Sequence, residues 1–197
     1  MNYIKNKLFI ENIPFQKITN RFGTPTYCYS LNKLRSNIKS FRKNFRSINP
    51  LICFSVKSNS NLKILKEIKK MGIGADVVSK GELMMALKAG ISPKKIVFSG
   101  VGKNLDELTF AIDKNILLIN SESESEISQI EKISKKKNKK INIGLRLNPN
   151  INPNTLNKIT TGKKENKFGL TSKDFLKAVK KFKKSKYLNI KCLSVHI

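Results

Sequence analysis

The amino-acid sequence predicts an α/β fold built around a parallel sheet. Apolar runs typical of strands alternate along the chain with amphipathic segments typical of helices, and such repeated strand-helix units favour a parallel sheet. The runs are continuously apolar, as expected of strands covered on both faces. The predicted strands lie at 51–57, 74–78, 95–99, 116–120, 141–147 and 190–197, and the predicted helices between them at 61–71, 80–89, 104–114, 122–136 and 172–184.

The first fifty residues are less regular. Residues 1–23 are polar with short apolar pairs and predict no convincing element. A turn and a short aromatic strand over 24–29 follow, and Ser30 is a candidate helix cap. From 31 to 45 the apolar residues fall at helical spacing, and Asn49-Pro50 ends that helix.

Helix boundaries inside the repeating part carry their own signals. Gly72 and Gly90 follow predicted helices where a C-terminal cap needs a positive φ. Ser121-Glu-Ser-Glu124 supplies N-terminal capping and acidic residues for the positive end of the next helix.

One connection differs from the others. Residues 148–169 form a long segment rich in Pro, Asn and Gly after a predicted strand, and such a loop is unusual in a compact domain unless it has a function. The sequence then stops inside the last predicted strand. We therefore expect a (β/α)8 barrel of the TIM type, truncated after about six strands, with the loop on the barrel's carboxyl rim.

Lys57 stands at the end of the predicted strand 51–57, directly before the polar residues Ser58-Asn59-Ser60-Asn61. A barrel keeps its chemistry at the carboxyl ends of its strands. A lysine amine in such a place can attack a carbonyl and form a Schiff base. The alternative is a solvated surface charge, since the chain is rich in lysine.

The formal net charge of +27 raises the possibility of a nucleic-acid-binding protein. The lysines are spread from Lys5 to Lys191, and the densest run, 135–140, sits between a predicted helix and a strand without aromatic or Arg residues for stacking. We expect no specific nucleic-acid partner. Steep loss of binding with rising salt would distinguish the phosphate-binding alternative.

Composition also bears on location. A hydrophobic fraction of 39% over 197 residues is compatible with a globular domain. Cys28, Cys53 and Cys192 lie in apolar stretches without metal or disulfide spacing, as expected in a reducing cytoplasm. No apolar run reaches membrane-spanning length, so we expect a cytoplasmic protein without a membrane partner.

Short motifs occur along the chain at 24–29, 54–59, 75–83, 96–100, 146–149, 161–169 and 195–197. In order and spacing they resemble the N-terminal half of diaminopimelate decarboxylases, which belong to the alanine-racemase-like pyridoxal-phosphate enzymes, and the resemblance covers residues 22–197. The strand-Lys-x-Asn and Asp-Val-Val-Ser-x-Gly-Glu motifs are shared with related basic amino-acid decarboxylases, whereas Thr-Gly-x-x-x-Asn-Lys-Phe-Gly is typical of the diaminopimelate branch.

The resemblance implies a cofactor, pyridoxal 5'-phosphate, and a set of site residues. Lys57 matches the lysine that holds the cofactor covalently and is catalytic. His196 matches a residue against the cofactor ring, Asp76 an acid near that lysine, and Arg146 an arginine at a strand end near the cofactor.

Each of these residues also has an alternative interpretation. His196 could be a satisfied core histidine, Asp76 a helix cap, and Arg146 the partner of a neighbouring carboxylate. Lys167 and Gly169 are expected to shape the rim loop.

The implied function is decarboxylation of meso-2,6-diaminopimelate, a small amino-acid substrate, to L-lysine and CO2. The alternatives within the family are decarboxylases of ornithine, arginine or carboxynorspermidine. Phe54-Ser55 and Ser58 depart from the usual residues around the lysine, which leaves the branch open. The phosphate loop, the acid for the ring nitrogen and a substrate-side Cys and Tyr lie beyond residue 197 in the family, so a fragment is expected to be inactive alone.

The resemblance also implies the domain organisation and the oligomeric state. Residues 1–30 are expected to lead into the barrel and, in the family, to pack with a C-terminal β domain. Residues 31–197 are expected to form the incomplete barrel. The full-length protein is expected to be a homodimer.

Overall fold

The computed structural model describes residues 1–151 and 168–196. The chain divides into two compact units, Met1–Pro50 and Leu51–Ile197. Within the described residues no helix is long and apolar enough to cross a membrane.

The first unit contains a small antiparallel sheet and two helices. Strands β1 (Asn2–Ile4), β2 (Lys7–Ile10) and β3 (Ile13–Pro14) pair in that order. Helices α1 (Phe15–Phe22) and α2 (Leu31–Asn44) follow. Ser30 caps α2, as predicted, because its side chain accepts a hydrogen bond from the Lys33 N–H at 3.0 Å.

Two predictions for this unit are wrong. Residues 1–23, for which no convincing element was predicted, hold the three strands and α1. The first hairpin turns through Lys5 and Asn6, both at positive φ, so the glycine that usually marks such a turn is missing. The aromatic strand predicted within 24–29 is irregular. Tyr27 is 90% exposed, and a strand needs a neighbour to receive its backbone hydrogen bonds.

The second unit is a six-stranded parallel sheet with the strands in sequence order. This confirms the predicted α/β architecture. The strands are β4 (Cys53–Ser55), β5 (Gly74–Val77), β6 (Ile96–Phe98), β7 (Leu118–Ser121), β8 (Ile141–Leu147) and β9 (Leu188–Val195), and the helices are α3 (Leu62–Lys70), α4 (Lys80–Lys88), α5 (Leu105–Asp113), α6 (Glu124–Lys136) and α7 (Ser172–Phe182).

The helix ends follow the local sequence signals. Gly72 and Gly90 have φ of 71° and 84° and follow α3 and α4, as a C-terminal cap requires. Before α6 the cap is Ser123, whose side chain accepts a hydrogen bond from the Glu126 N–H, so the helix begins two residues later than predicted.

The apolar core lies between the sheet and its helices. One set of alternate strand residues is fully buried together with the inward faces of α3 to α6. The largest of these buried side chains include Leu65, Ile68, Leu83, Ile96, Phe98, Leu108, Ile112, Ile119, Ile127, Ile130, Ile143 and Leu145. The other set of alternate residues therefore faces the opposite side of the sheet, where polar side chains are found.

Gly74 on β5 makes a testable packing contact. A Cβ at this position would lie 2.2 Å from the Lys95 carbonyl oxygen and 2.9 Å from Cys53 Sγ, and a backbone atom cannot move aside cheaply. We expect Gly74→Ala to lower the free energy of unfolding by about 1–3 kcal/mol in urea denaturation. Gly81→Ala is the matched control, because the nearest atom, Ser79 Oγ, is 3.8 Å away and alanine favours a helix. Equal stability of the two variants would contradict this account.

Candidate active site

The polar face of the sheet opens at the carboxyl ends of the strands into a cavity of about 670 Å³. Its lining repeats every second residue along the strands, as side-chain alternation requires. The lining residues from this face are Cys53, Ser55, Lys57, Asp76, Val78, Val97, Ser99, Asn120, Glu122, Arg146, Ser194 and His196. The four predicted site residues, Lys57, Asp76, Arg146 and His196, are all among them.

Lys57 lies just beyond the strand rather than on it. The predicted strand 51–57 is ordered as β4 only over Cys53–Ser55, and Val56–Ser58 form one turn of 3-10 helix. Ser58 Oγ donates to the Ser55 carbonyl at 2.7 Å and closes that turn. Lys57 is exposed and lines the cavity.

Asp76 lies on β5 and does not cap the next helix, since Ser79 does so. Its Oδ1 accepts a hydrogen bond of 2.6 Å from Ser99 Oγ. Burial raises the pKa of Asp76, whereas the Ser99 hydrogen bond and electrostatic interactions with Lys57, His196 and Lys103 oppose that rise.

Arg146, near the end of β8, forms an ion pair with Glu122, as its alternative interpretation proposed. Nη1 lies 2.9 and 3.0 Å from the two Glu122 carboxylate oxygens, and the side chains are 10% and 3% exposed. The guanidinium also lies over the Phe168 ring, with Cζ 4.9 Å from the centroid. A paired arginine at the cavity wall is compatible with both interpretations.

His196 directly follows β9 and lines the cavity. Burial lowers its pKa, and the positive charges of Arg146 and Lys57 lower it further, whereas Asp76 and Glu122 act in the opposite sense. This favours the neutral imidazole near neutral pH.

The two described ends of the long loop lie at this rim. Leu170 N donates to the Arg146 carbonyl and Asn148 N to the Leu170 carbonyl. Gly169, at positive φ, donates its N–H to Glu122 at 3.2 Å. Residues 152–167 lie outside the described residues, and they include Lys167.

Sequence reasoning missed a second buried ion pair, between Lys103 and Glu126, behind the cavity lining. Lys103 Nζ donates to Glu126 Oε1 at 2.7 Å and to the carbonyls of Gly100 and Asn120 at 2.6 and 2.7 Å. Its side chain is 1% exposed. Composition did not distinguish Lys103 from the many solvated lysines of the chain. The available signal was its position directly after Gly100-Val101-Gly102, which follow a predicted strand.

Cys53 also lines the cavity, and it is not a nucleophile at neutral pH. Burial, with the nearby negative charge of Asp76, raises the pKa of its thiol to about 11. The thiolate is the reactive form, so the Cys53 thiol is not activated in this cavity.

Comparison with known proteins identifies the class. Residues 31–197 match the family described as pyridoxal-dependent decarboxylase, pyridoxal binding domain. The chain belongs to this family, and its six-stranded parallel sheet corresponds to the family's pyridoxal-binding (β/α) barrel domain.

Individual relatives point to one branch. The chain is 40% identical to a diaminopimelate decarboxylase of Aquifex aeolicus over 197 residues, which is 100% of this chain and 46% of that protein. The crystal structure of the Helicobacter pylori diaminopimelate decarboxylase complexed with L-lysine has a TM-score of 0.90 and 41% identity, covering 93% of this chain and 46% of that one. The crystal structure of the M. jannaschii diaminopimelate decarboxylase in complex with L-lysine has a TM-score of 0.90 and 34% identity, covering 98% of this chain and 46% of that one. The chain thus spans about half the length of its relatives.

The cavity residues fit the cofactor of this family. A volume of about 670 Å³ is in the range of small-molecule sites, and it presents an accessible primary amine, a carboxylate, an imidazole and a paired guanidinium at one sheet edge. A primary amine is the group required to hold an aldehyde cofactor.

Proposed function

We propose that the whole protein is a pyridoxal-phosphate-dependent decarboxylase that converts meso-2,6-diaminopimelate to L-lysine. One carboxylate would leave as CO2 and a proton would replace it on the same carbon. The observation that carries this proposal is the position of Lys57 at the carboxyl edge of the sheet, in one cavity with Asp76, Arg146 and His196.

Each residue has a proposed role. Lys57 would hold the cofactor covalently through its amine, and His196 would lie against the ring. Asp76 would orient the Lys57 amine by charge attraction, and Arg146 would form a fixed positive wall, held by Glu122. Pyridoxal phosphate supplies, when bound, an electron sink for the pair left behind by CO2.

Substrate choice within the family is the finer part of the proposal. Its support is the diaminopimelate decarboxylase identity of the relatives above and the Thr161-Gly-x-x-x-Asn-Lys-Phe-Gly169 motif. The competing substrates are ornithine, arginine and carboxynorspermidine.

An assay of the whole protein tests this choice. We expect CO2 and L-lysine from meso-diaminopimelate in the presence of pyridoxal phosphate, with kcat/KM at least about 100-fold higher than for ornithine or arginine, because a polar pocket discriminates strongly against substrates that leave its groups unpaired. A higher kcat/KM on ornithine or arginine would move the protein to a sibling branch, and the absence of decarboxylation on all four substrates would refute the proposed reaction.

We also propose a homodimeric, cytoplasmic protein with residues 1–30 leading into the barrel domain 31–197. The support for these points is the family resemblance, together with the family match that begins at residue 31. Light scattering of the purified whole protein would measure the oligomeric state.

A further inference from the structure

Three polar side chains form a hydrogen-bonded chain across the cavity floor. Asn120 Nδ2, on β7, donates to Ser99 Oγ at 3.1 Å, and Ser99 Oγ, just after β6, donates to Asp76 Oδ1, on β5, at 2.6 Å. All three residues line the cavity. Because the Asn120 amide can only donate through nitrogen, it directs the Ser99 proton toward Asp76.

Gly144 on β8 makes room for this arrangement. It is the register partner of Asn120, and a Cβ at residue 144 would lie 2.2 Å from Asn120 Oδ1. Any other residue at 144 would push the amide away from its present place and from Ser99.

The Asn120 side chain is held there at an energetic cost. It is 8% exposed, and its Oδ1 has no hydrogen-bond partner among the described residues. An unsatisfied buried acceptor costs about 1–3 kcal/mol, and such a group in a native structure calls for an explanation. Orientation of Ser99 provides one.

The chain ends on the carboxylate that faces the charged groups of the cavity. Asp76 interacts electrostatically with Lys57 beyond β4, with His196 beyond β9 and with the buried Lys103. The Cys53 thiol on β4 is also affected by the charge of Asp76. Asp76 and Lys57 line the same cavity, so the hydrogen bond from Ser99 acts on a carboxylate that faces Lys57 across it.

We propose that Ser99, Asn120 and Gly144 are positioning residues that fix the Asp76 carboxylate relative to Lys57. We call the hydrogen-bonded series from Asn120 through Ser99 to Asp76 the relay. It deepens the proposed function, on which its relevance to the cofactor depends. The hydroxyl of Ser99 stabilises the ionised carboxylate, Asn120 orients that hydroxyl, and Gly144 leaves space for Asn120.

The first test needs no cofactor. The pKa of Asp76 is measured by carbon-13 NMR of the carboxyl group in the apo whole protein, with Asp76→Asn used for assignment. A hydrogen bond to a carboxylate favours the charged form, so Ser99→Ala should raise the pKa of Asp76 by about one unit. Ser99→Thr keeps the hydroxyl and should restore the wild-type value. Ser134→Ala, which removes a buried hydroxyl far along α6 that has no partner among the described residues, should leave the value unchanged.

The second test measures the pH dependence of pyridoxal-phosphate affinity. Below its pKa Asp76 is neutral and no longer attracts Lys57, so affinity should fall on the acid side. Ser99→Ala raises that pKa, and the fall should therefore occur about one pH unit higher. In an Asp76→Asn background, Ser99→Ala should not displace the pH dependence of affinity further, since both substitutions act through the Asp76 carboxylate.

Gly144→Ala tests the role of Asn120 independently. It should raise the pKa of Asp76 as Ser99→Ala does, because it expels the Asn120 amide. If Gly144→Ala does not fold, Asn120→Ala replaces it with the same expectation.

Two results would overturn the relay. One is an unchanged Asp76 pKa in Ser99→Ala. The other is a Ser99→Ala displacement of the pH dependence of pyridoxal-phosphate affinity that is as large in the Asp76→Asn background as in the wild type. Failure of the proposed function is a different result. Wild-type protein that attaches no pyridoxal phosphate to Lys57 would refute the function, while the NMR measurement on apo protein would still decide whether Ser99 and Asn120 control Asp76.

Discussion

Lys57→Ala is expected to abolish covalent attachment of pyridoxal phosphate and to lower decarboxylation at least about 1,000-fold, because no other residue of the described cavity lining carries a primary amine. Lys57→Arg should fail equally, since a guanidinium stays protonated and cannot add to an aldehyde. Both variants should keep the stability of the wild type, because the side chain is exposed and contributes little packing. Borohydride reduction in the presence of pyridoxal phosphate, followed by peptide mapping, measures attachment.

Lys80→Ala is the matched control for this experiment. Lys80 begins α4 at the same end of the sheet but is paired with Asp106 at 2.7 Å outside the cavity, so its loss should leave attachment intact. If reduction labels a lysine other than Lys57, or if Lys57→Ala keeps its activity, the proposed role of Lys57 is wrong.

Glu122→Gln is expected to lower the free energy of unfolding by about 3 kcal/mol, more than any other substitution considered above or below. Its carboxylate is 3% exposed and compensates the buried guanidinium of Arg146, and removal of one member of a buried ion pair leaves an uncompensated charge. It also accepts the Gly169 N–H, so the variant should loosen the end of the rim loop. Urea denaturation of the apo whole protein measures the change.

Glu124→Gln supplies the comparison two residues further on. Glu124 pairs with Lys181 at 2.6 Å, but the Lys181 side chain is 53% exposed and the Glu124 side chain 31%, so solvent screens the interaction. We expect a much smaller loss than for Glu122→Gln. Equal losses in the two variants would show that burial does not make the Arg146–Glu122 pair special.

The repeating elements and four of the cavity residues were accessible from the sequence. Helix periodicity, capping serines and terminal glycines act within a few residues, so helices such as α4 and α6 were predicted to within two residues at each end. Parallel strands in order place their carboxyl ends at one edge, and that rule predicted the place of Lys57. Asp76, Arg146 and His196 were predicted from the family resemblance.

The partners of those residues were decided only by the tertiary structure. Glu122 faces Arg146 across 24 residues of chain, and Ser99 faces Asp76 across 23, so each contact depends on strand neighbours and on register, neither of which is encoded locally. The same holds for Gly144, because the need for a glycine there arises only from the Asn120 side chain on the neighbouring strand. In the first unit, hairpin turns without glycine at Lys5-Asn6 left no local mark, and the strands became visible only through their pairing. The sequence by itself thus determined the alternating strands and helices of the second unit and the edge that carries the candidate site, whereas long-range packing decided which side chains hold that site in place.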